Sequence, residues 1–222
     1  IITTYPLPIP SFSAANTCIS EQVNFNDQSS ILAPATITNY AWSFGDGNTS
    51  NQSAPSNLFA AEGVYDVRLI LTSNHGCIDS LSQQVTVWPL PIVDFLPTEV
   101  CLNFDTQFSD LTTISNLASS NNIVSWNWDF ADGGISSLQN PLHTYIESGL
   151  YPVKLTAISN HGCQAVQTKG VYVFPNPTVS FTGNNLIGCS PVCFTLNSTS
   201  FIDNTQTPQN PSTISNYSWI FS

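Results

Sequence analysis

Apolar and polar residues alternate along much of the chain, at the two-residue period that sends successive side chains to opposite faces of a strand. Val23 and Phe25 mark one such run, Tyr40, Trp42 and Phe44 a second, Tyr65, Val67, Leu69 and Leu71 a third, and Val85 and Val87 a fourth. Asp66 and Arg68 fall between the apolar positions of the third run, on its outward face. Gly45-Asp46-Gly47, Ala61-Glu62-Gly63 and Asn74-His75-Gly76 separate the runs with residues suited to tight turns. No stretch carries 3.6-residue periodicity over the length of a helix. Short strands with frequent turn signals predict an all-β sandwich.

The pattern then repeats. Trp42, Phe44, Asp46 and Gly47 return as Trp128, Phe130, Asp132 and Gly133, an offset of 86 (128 − 42). The same shift carries Gly63, Tyr65, Val67 and Leu69 onto Gly149, Tyr151, Val153 and Leu155, and Ser73-Asn74-His75-Gly76-Cys77 onto residues 159–163. Of the 50 positions from 42 to 91, 19 are identical at this shift, which marks copied units in an array. Tyr5-Pro6-Leu7-Pro8, Trp88-Pro89-Leu90-Pro91 and Phe174-Pro175-Asn176-Pro177 punctuate the units. The expected organisation is therefore residues 1–5 as the last strand of a preceding repeat, repeats at 6–88 and 89–174, and an incomplete repeat at 175–222. In that last unit Tyr217, Trp219 and Phe221 stand for Tyr40, Trp42 and Phe44.

Trp42-Ser43-Phe44-Gly45-Asp46-Gly47, followed by Pro55, Phe59, Gly63 and Tyr65, resembles the polycystic kidney disease (PKD) repeat, an immunoglobulin-like module. Trp128-Asp129-Phe130-Ala131-Asp132-Gly133 with Pro141, His143, Tyr145, Gly149 and Tyr151 is nearer still to the family pattern. Ala131 stands where the family has Gly, Ser43 where it has Asp, and Asn57 and Phe59 where it has His and Tyr. The resemblance implies immunoglobulin-like β-sandwiches stacked head to tail. Trp42, Phe44, Tyr65, Trp128, Phe130 and Tyr151 are the expected core. Tandem copies with one early and one late Cys, joined by Pro-x-Pro, further resemble the very large gliding and attachment adhesins that Bacteroidota export by type-nine secretion. Asp79-Ser80-Leu81 matches the O-glycosylation pattern of those bacteria, which marks Ser80 as a candidate glycan site.

Composition narrows the partners. Three Lys+Arg against 14 Asp+Glu give a formal charge of −11, so the chain lacks the basic patch that nucleic acid or an anionic membrane surface demands. No apolar run approaches the ~20 residues of a spanning helix. Charged residues are only 8% while 41% are hydrophobic, a balance that supports a packed core over disorder. The chain holds no Met and opens Ile1-Ile2-Thr3-Thr4, which reads as a segment of a longer polypeptide.

The six cysteines are Cys18, Cys77, Cys101, Cys163, Cys189 and Cys193. One early and one late Cys per repeat, in a chain with no cytosolic traits, reads as a disulfide framework formed in an oxidising compartment. No C-x-x-C pair offers zinc its four ligands, and His75 with Cys77 lacks a third residue to orient a nucleophile. In an immunoglobulin-like sandwich the two cysteines of one repeat lie at opposite ends, roughly 25 Å apart at ~3.3 Å per residue, beyond the ~7 Å Cα limit of a disulfide. That geometry favours Cys18–Cys163 between repeats, with Cys77 turned toward a preceding module and Cys101 toward the following one. Cys18–Cys77 with Cys101–Cys163 stays open if the early Cys rides on a long excursion. Cys193 has no counterpart in the earlier repeats and pairs with Cys189 or stays free.

Asp46 and Asp132 sit in tight turns, and some PKD modules of secreted proteases bind calcium. One carboxylate per turn falls short of the about six to eight oxygens calcium takes, so no metal or other cofactor is expected. No paired carboxylates or triad appear, and the chain reads as non-enzymatic. The expected role is a stalk segment of a surface adhesin, extracellular, contacting neighbouring repeats and surface polysaccharide or other surface proteins. The competing role is an accessory carbohydrate-binding or spacer module of a secreted polysaccharidase or protease.

Overall fold

The computed structural model describes residues 4–116, 120–183 and 196–202, with 214 and 218. Every regular element among them is a strand, and no described helix is long and apolar enough to cross a membrane. The first repeat contains β1 (Phe12–Ser13), β2 (Thr17–Cys18), β3 (Gln22–Asn24), β4 (Asn26–Asp27), β5 (Ile37–Ser43), β6 (Thr49–Ser50), β7 (Ser56–Leu58), β8 (Gly63–Ser73) and β9 (Ile78–Trp88). The second contains β10 (Phe95–Pro97), β11 (Val100–Cys101), β12 (Asp105–Asp110), β13 (Ile123–Asp129), β14 (Ile135–Ser136), β15 (Leu142–Thr144), β16 (Gly149–Ser159) and β17 (Gln164–Phe174). An antiparallel pair, β18 (Phe181–Gly183) and β19 (Leu196–Ser198), follows.

Each repeat is built on a five-stranded sheet, in the order β2-β9-β8-β5-β6 and then β11-β17-β16-β13-β14. β8 and β9 pair antiparallel from Gly63↔Val87 to Thr72↔Ile78, and the short β2 runs parallel to the end of β9 with Cys18 opposite Trp88. The second repeat copies this edge, with Cys101 of β11 opposite Phe174 of β17. The strands left over form β1-β4 and β3-β7 in the first repeat and β10-β12-β15 in the second. Isolated bridges Ile9↔Ser30, Ile92↔Thr113 and Thr178↔Phe201 open three successive units in the same way.

Alternation dictates the cores. In β8, Val67, Leu69 and Leu71 are fully buried while Asp66 and Arg68 face outward. Their partners are Phe12, Val23, Phe25, Trp42, Phe44, Phe59, Val85 and Val87. The second core repeats the set with Phe95, Phe108, Trp128, Phe130, Tyr145, Val153, Leu155, Val171 and Val173. Phe12 meets the Trp42 ring edge-on at 5.0 Å, as Phe95 meets Trp128 at 5.1 Å. Each buried indole N–H finds a carbonyl, Trp42 Nε1 on Gln52 O at 2.9 Å and Trp128 Nε1 on Leu138 O at 2.8 Å, which removes the cost of burying it.

Trp42, Phe44, Trp128 and Phe130 are core residues, whereas Tyr65 and Tyr151 correct the sequence expectation by lying half-buried at the rim. A phenol hydroxyl needs a partner. Tyr65 donates to Ala61 O at 2.7 Å and Tyr151 to Glu147 O at 2.8 Å, each four residues back at the mouth of its strand. The hydroxyl holds the turn while the ring covers the core edge, resembling the tyrosine corner of immunoglobulin-like sandwiches. Packing divides the chain into two compact units. One gathers Ile1–Ile92 with Thr113–Val124 and Ile158–Ala165, the other Val93–Thr112 with Ser125–Ala157 and Val166–Ser222.

Candidate functional site

Two places in the chain concentrate its polar chemistry. The first is the turn after β5 and its copy after β13. Phe44 N donates to Asn48 O at 3.1 Å, and Gly45 and Gly47 take φ of 82° and 95°, the left-handed region that glycine enters freely. A Cβ on Gly45 would lie 3.0 Å from Asp66 O, so the residue is also needed for space. Asp46 Oδ1 accepts from Asn48 N at 2.9 Å, and Oδ2 accepts from Asn48 Nδ2 at 3.0 Å and Asn57 Nδ2 at 2.7 Å.

The copy replaces amides with a histidine. Asp132 Oδ1 accepts from Gly134 N at 2.9 Å, and Oδ2 lies 2.7 Å from His143 Nε2. The imidazole is clamped, stacked on Phe130 at 4.0 Å and met edge-on by Tyr145 at 4.6 Å. Burial would raise the Asp132 pKa, but the hydrogen bonds from His143 and Gly134 and the His143 charge outweigh it and hold the carboxyl below its ordinary 3.8. Burial, with the nearby Asp132 charge and Tyr151 adding to it, pushes the Tyr145 phenol well above its ordinary range. In both turns the carboxylate oxygens face N–H donors, and the described residues hold no cluster of three His, Cys, Asp or Glu suited to a metal.

A carboxyl whose folded pKa is depressed stabilises the fold above its unfolded pKa, and the contribution is lost as pH falls through the folded value. The second repeat is therefore expected to lose this increment below pH 3.8. Asp132→Asn should lower its thermal midpoint at pH 7 and leave it nearly unchanged in strong acid, as followed by calorimetry at both pH values. A second expectation concerns Ala131, whose φ of 66° puts an L residue in the left-handed region in the slot that Gly45 fills in the first repeat. Ala131→Gly should stabilise that repeat by about 1 kcal/mol in urea unfolding, the usual excess cost of such a φ.

The second place is a disulfide. Cys18 and Cys163 are bonded with Cα atoms 5.6 Å apart, within the first compact unit. Cys163 closes the turn after β16. Ser159 N donates to Cys163 O at 2.8 Å, Gly162 takes φ of 81°, and Ser159 Oγ accepts from Cys163 N at 3.2 Å. Beside the bond, the Trp88 ring lies on His161 at 3.6 Å with the planes 1° apart. The pairing of Cys18 with Cys77 and of Cys101 with Cys163 is not found. Cys77 precedes β9 and Cys18 lies against its far end, so the 11 residues of that strand hold them roughly 35 Å apart at about 3.3 Å per residue. Cys77 and Cys101 are free thiols, half-buried and exposed. Cys189, Cys193, Tyr217, Trp219 and Phe221 lie outside the described residues.

Ser80 lies on β9, its Oγ accepting from Arg68 Nη2 at 3.1 Å and its N donating to Asp79 Oδ1 at 2.8 Å. Other polar links escaped the sequence reading. Trp126 Nε1 donates to Asp110 Oδ2 at 2.7 Å, and Lys169 reaches Asp94 at 2.5 Å and Phe95 O at 2.6 Å. The first repeat pairs an aromatic with an acid in the same place, Tyr40 with Asp27, whereas Gln83 stands where Lys169 does, so no repeated letter announced the lysine link. Asn57 and His143 were legible as a substitution at equivalent positions, but their common carboxylate target was not.

A family model described as "PKD domain" matches residues 6–88 and 91–173. Among curated proteins, collagenase ColA of Clostridium perfringens is 30% identical over 112 residues, 50% of this chain and 10% of that protein. The microbial collagenase of Vibrio alginolyticus is 27% identical over 108 residues, 49% of this chain and 13% of that protein. The chain thus spans a small fraction of these relatives' length. Among solved structures, the PKD1 domain of the Vibrio cholerae metalloprotease PrtV is 30% identical with a TM-score of 0.34, covering 36% of this chain and 96% of that one. The PKD1 domain of Vibrio anguillarum Epp is 25% identical with a TM-score of 0.35, covering 38% and 96%.

Proposed function

Because the chain belongs to the PKD domain family, with two domains in tandem, we propose that it serves as a non-catalytic accessory and spacer segment of an extracellular multi-domain hydrolase. The carrying observation is where its curated relatives align: about half of this chain matches a tenth of a collagenase, as a module attached to a larger enzyme does. The site chemistry supports the reading. Asp46 and Asp132 are engaged in holding their own turns, and His143 is clamped between rings. The disulfide supports an oxidising, extracellular setting. Such a segment sets the distance of a catalytic domain from its anchor or its polymeric substrate.

The test is the parent polypeptide. A hydrolase domain beside these repeats is expected, and deleting residues 6–174 should lower activity on an insoluble polymer at least fivefold while leaving a small soluble substrate unaffected. An uninterrupted run of further repeats with no hydrolase would overturn the reading. It would instead support a stalk segment of a surface adhesin, for which the cysteines at equivalent positions of both repeats speak. In that setting Ser80 is the residue proposed to carry a glycan.

A further inference from the structure

We propose that the free edge of β15 docks an extended peptide segment of a partner protein, a strand that carries Lys or Arg midway between two apolar side chains. The proposal goes beyond the spacer reading and does not depend on it.

The backbone dictates what kind of occupant fits. β15 ends the sheet β10-β12-β15, so among the described residues it has a strand on one side only. Phe108 N donates to Pro141 O at 2.9 Å and Asn103 N to Tyr145 O at 3.3 Å, while Thr106 lies opposite His143. Backbone groups along an antiparallel strand alternate in direction. Residues 141, 143 and 145 therefore spend theirs on β12, and Leu142, Thr144 and Ile146 turn theirs away from the sheet. Such a row of N–H and C=O groups is matched by another extended backbone.

The side chains narrow the occupant further. Leu142 and Ile146 are 59% and 81% exposed, one on either side of Thr144. Thr144 Oγ1 donates to Asp105, its cross-strand neighbour. Asp105 and Glu147 are exposed, and no Lys or Arg occurs from residue 101 to residue 153. The edge of the other sheet reaches the same side: a Cβ on Gly134 would lie 2.5 Å from His143 Cε1, and the adjoining Ile135 of β14 is exposed. The first repeat lacks this combination. Ser56, Leu58 and Ala60 stand there for Leu142, Thr144 and Ile146, with Gln22 for Asp105 and Ala61 for Glu147. The fold alone thus does not require an apolar, acidic edge.

Opposed residues of neighbouring strands share a face. The partner residues facing Leu142 and Ile146 are apolar, and the one facing Thr144 is Lys or Arg, long enough to bring its charge toward Asp105. The recognised pattern is apolar-x-Lys/Arg-x-apolar. Backbone hydrogen bonds and the apolar pairs hold the strand, while the complementary charge selects it over other extended segments.

The test selects random ten-residue peptides displayed on phage against the full chain, with the Leu142→Ser, Ile146→Ala chain as counter-selection. Enriched peptides should carry the apolar-x-Lys/Arg-x-apolar pattern. The leading peptide, synthesised with a fluorescent label and titrated by anisotropy, should bind the double variant roughly two- to thirtyfold more weakly, the factor two cross-strand pairs supply. Added salt should weaken its binding to the unsubstituted chain. N-methylation of alternate peptide amides along one edge should abolish that binding, and along the other edge should leave it intact. This last comparison uses the unsubstituted chain and does not depend on how the variant folds. No enrichment, enriched sequences without the pattern, indifference to salt, or equal effects of the two methylated sets would overturn the proposal. Dimerisation of the free chain that the double substitution removes would assign the edge to a second copy and overturn it as well.

Discussion

Replacing Cys18 and Cys163 together by serine is expected to cost about 5 kcal/mol, the loop-closure entropy of a link spanning 145 residues. The bond acts mainly on the unfolded chain. Without it, the ends of that loop explore far more conformations before folding, while the folded strands β2 and β9 keep their pairing. Locally, a serine at position 163 adds to the loss because the site is 1% exposed. Urea unfolding followed by the fluorescence of Trp88, stacked on His161 beside the bond, reads the effect. A fall of less than 1 kcal/mol would mean that the bond decorates the fold without stabilising it.

Trp128→Ala should destabilise the second repeat by about 3–5 kcal/mol. The indole is fully buried and contacts Phe95 edge-on at 5.1 Å and Phe108 at 5.3 Å. Truncation removes that packing, opens a cavity and strands Leu138 O without its donor. Trp128→Phe keeps most of the volume and loses only the hydrogen bond, so about 1–3 kcal/mol is expected from the unpaired carbonyl. The two variants compared in urea separate packing from polar satisfaction. Equal losses would show that the Leu138 hydrogen bond, not the ring, carries the site.

Much of this was legible in advance. Val67, Leu69 and Leu71 face the core because a strand's period is two, and the glycines at 45 and 47 mark a turn because they adopt positive φ. Tyr65 and Tyr151 obey the same alternation yet stop at the rim, where each hydroxyl meets a carbonyl four residues back at the mouth of its strand. The exchange of Asn57 for His143 was visible as letters. Its meaning, two different donors serving one carboxylate position, required strands β7 and β15 to be placed beside their turns.

The amino-acid order alone determined the strands, the turns and the copying of one unit along the chain, because backbone alternation and turn chemistry act over a few residues and leave a local trace. Which cysteines meet was decided only in three dimensions. Equivalent cysteines carry equivalent neighbours in both repeats, so the letters around Cys18 and Cys77 left more than one pairing open. Bond formation depends on two Cα atoms 145 positions apart reaching 5.6 Å, a distance that only the assembled sheets define.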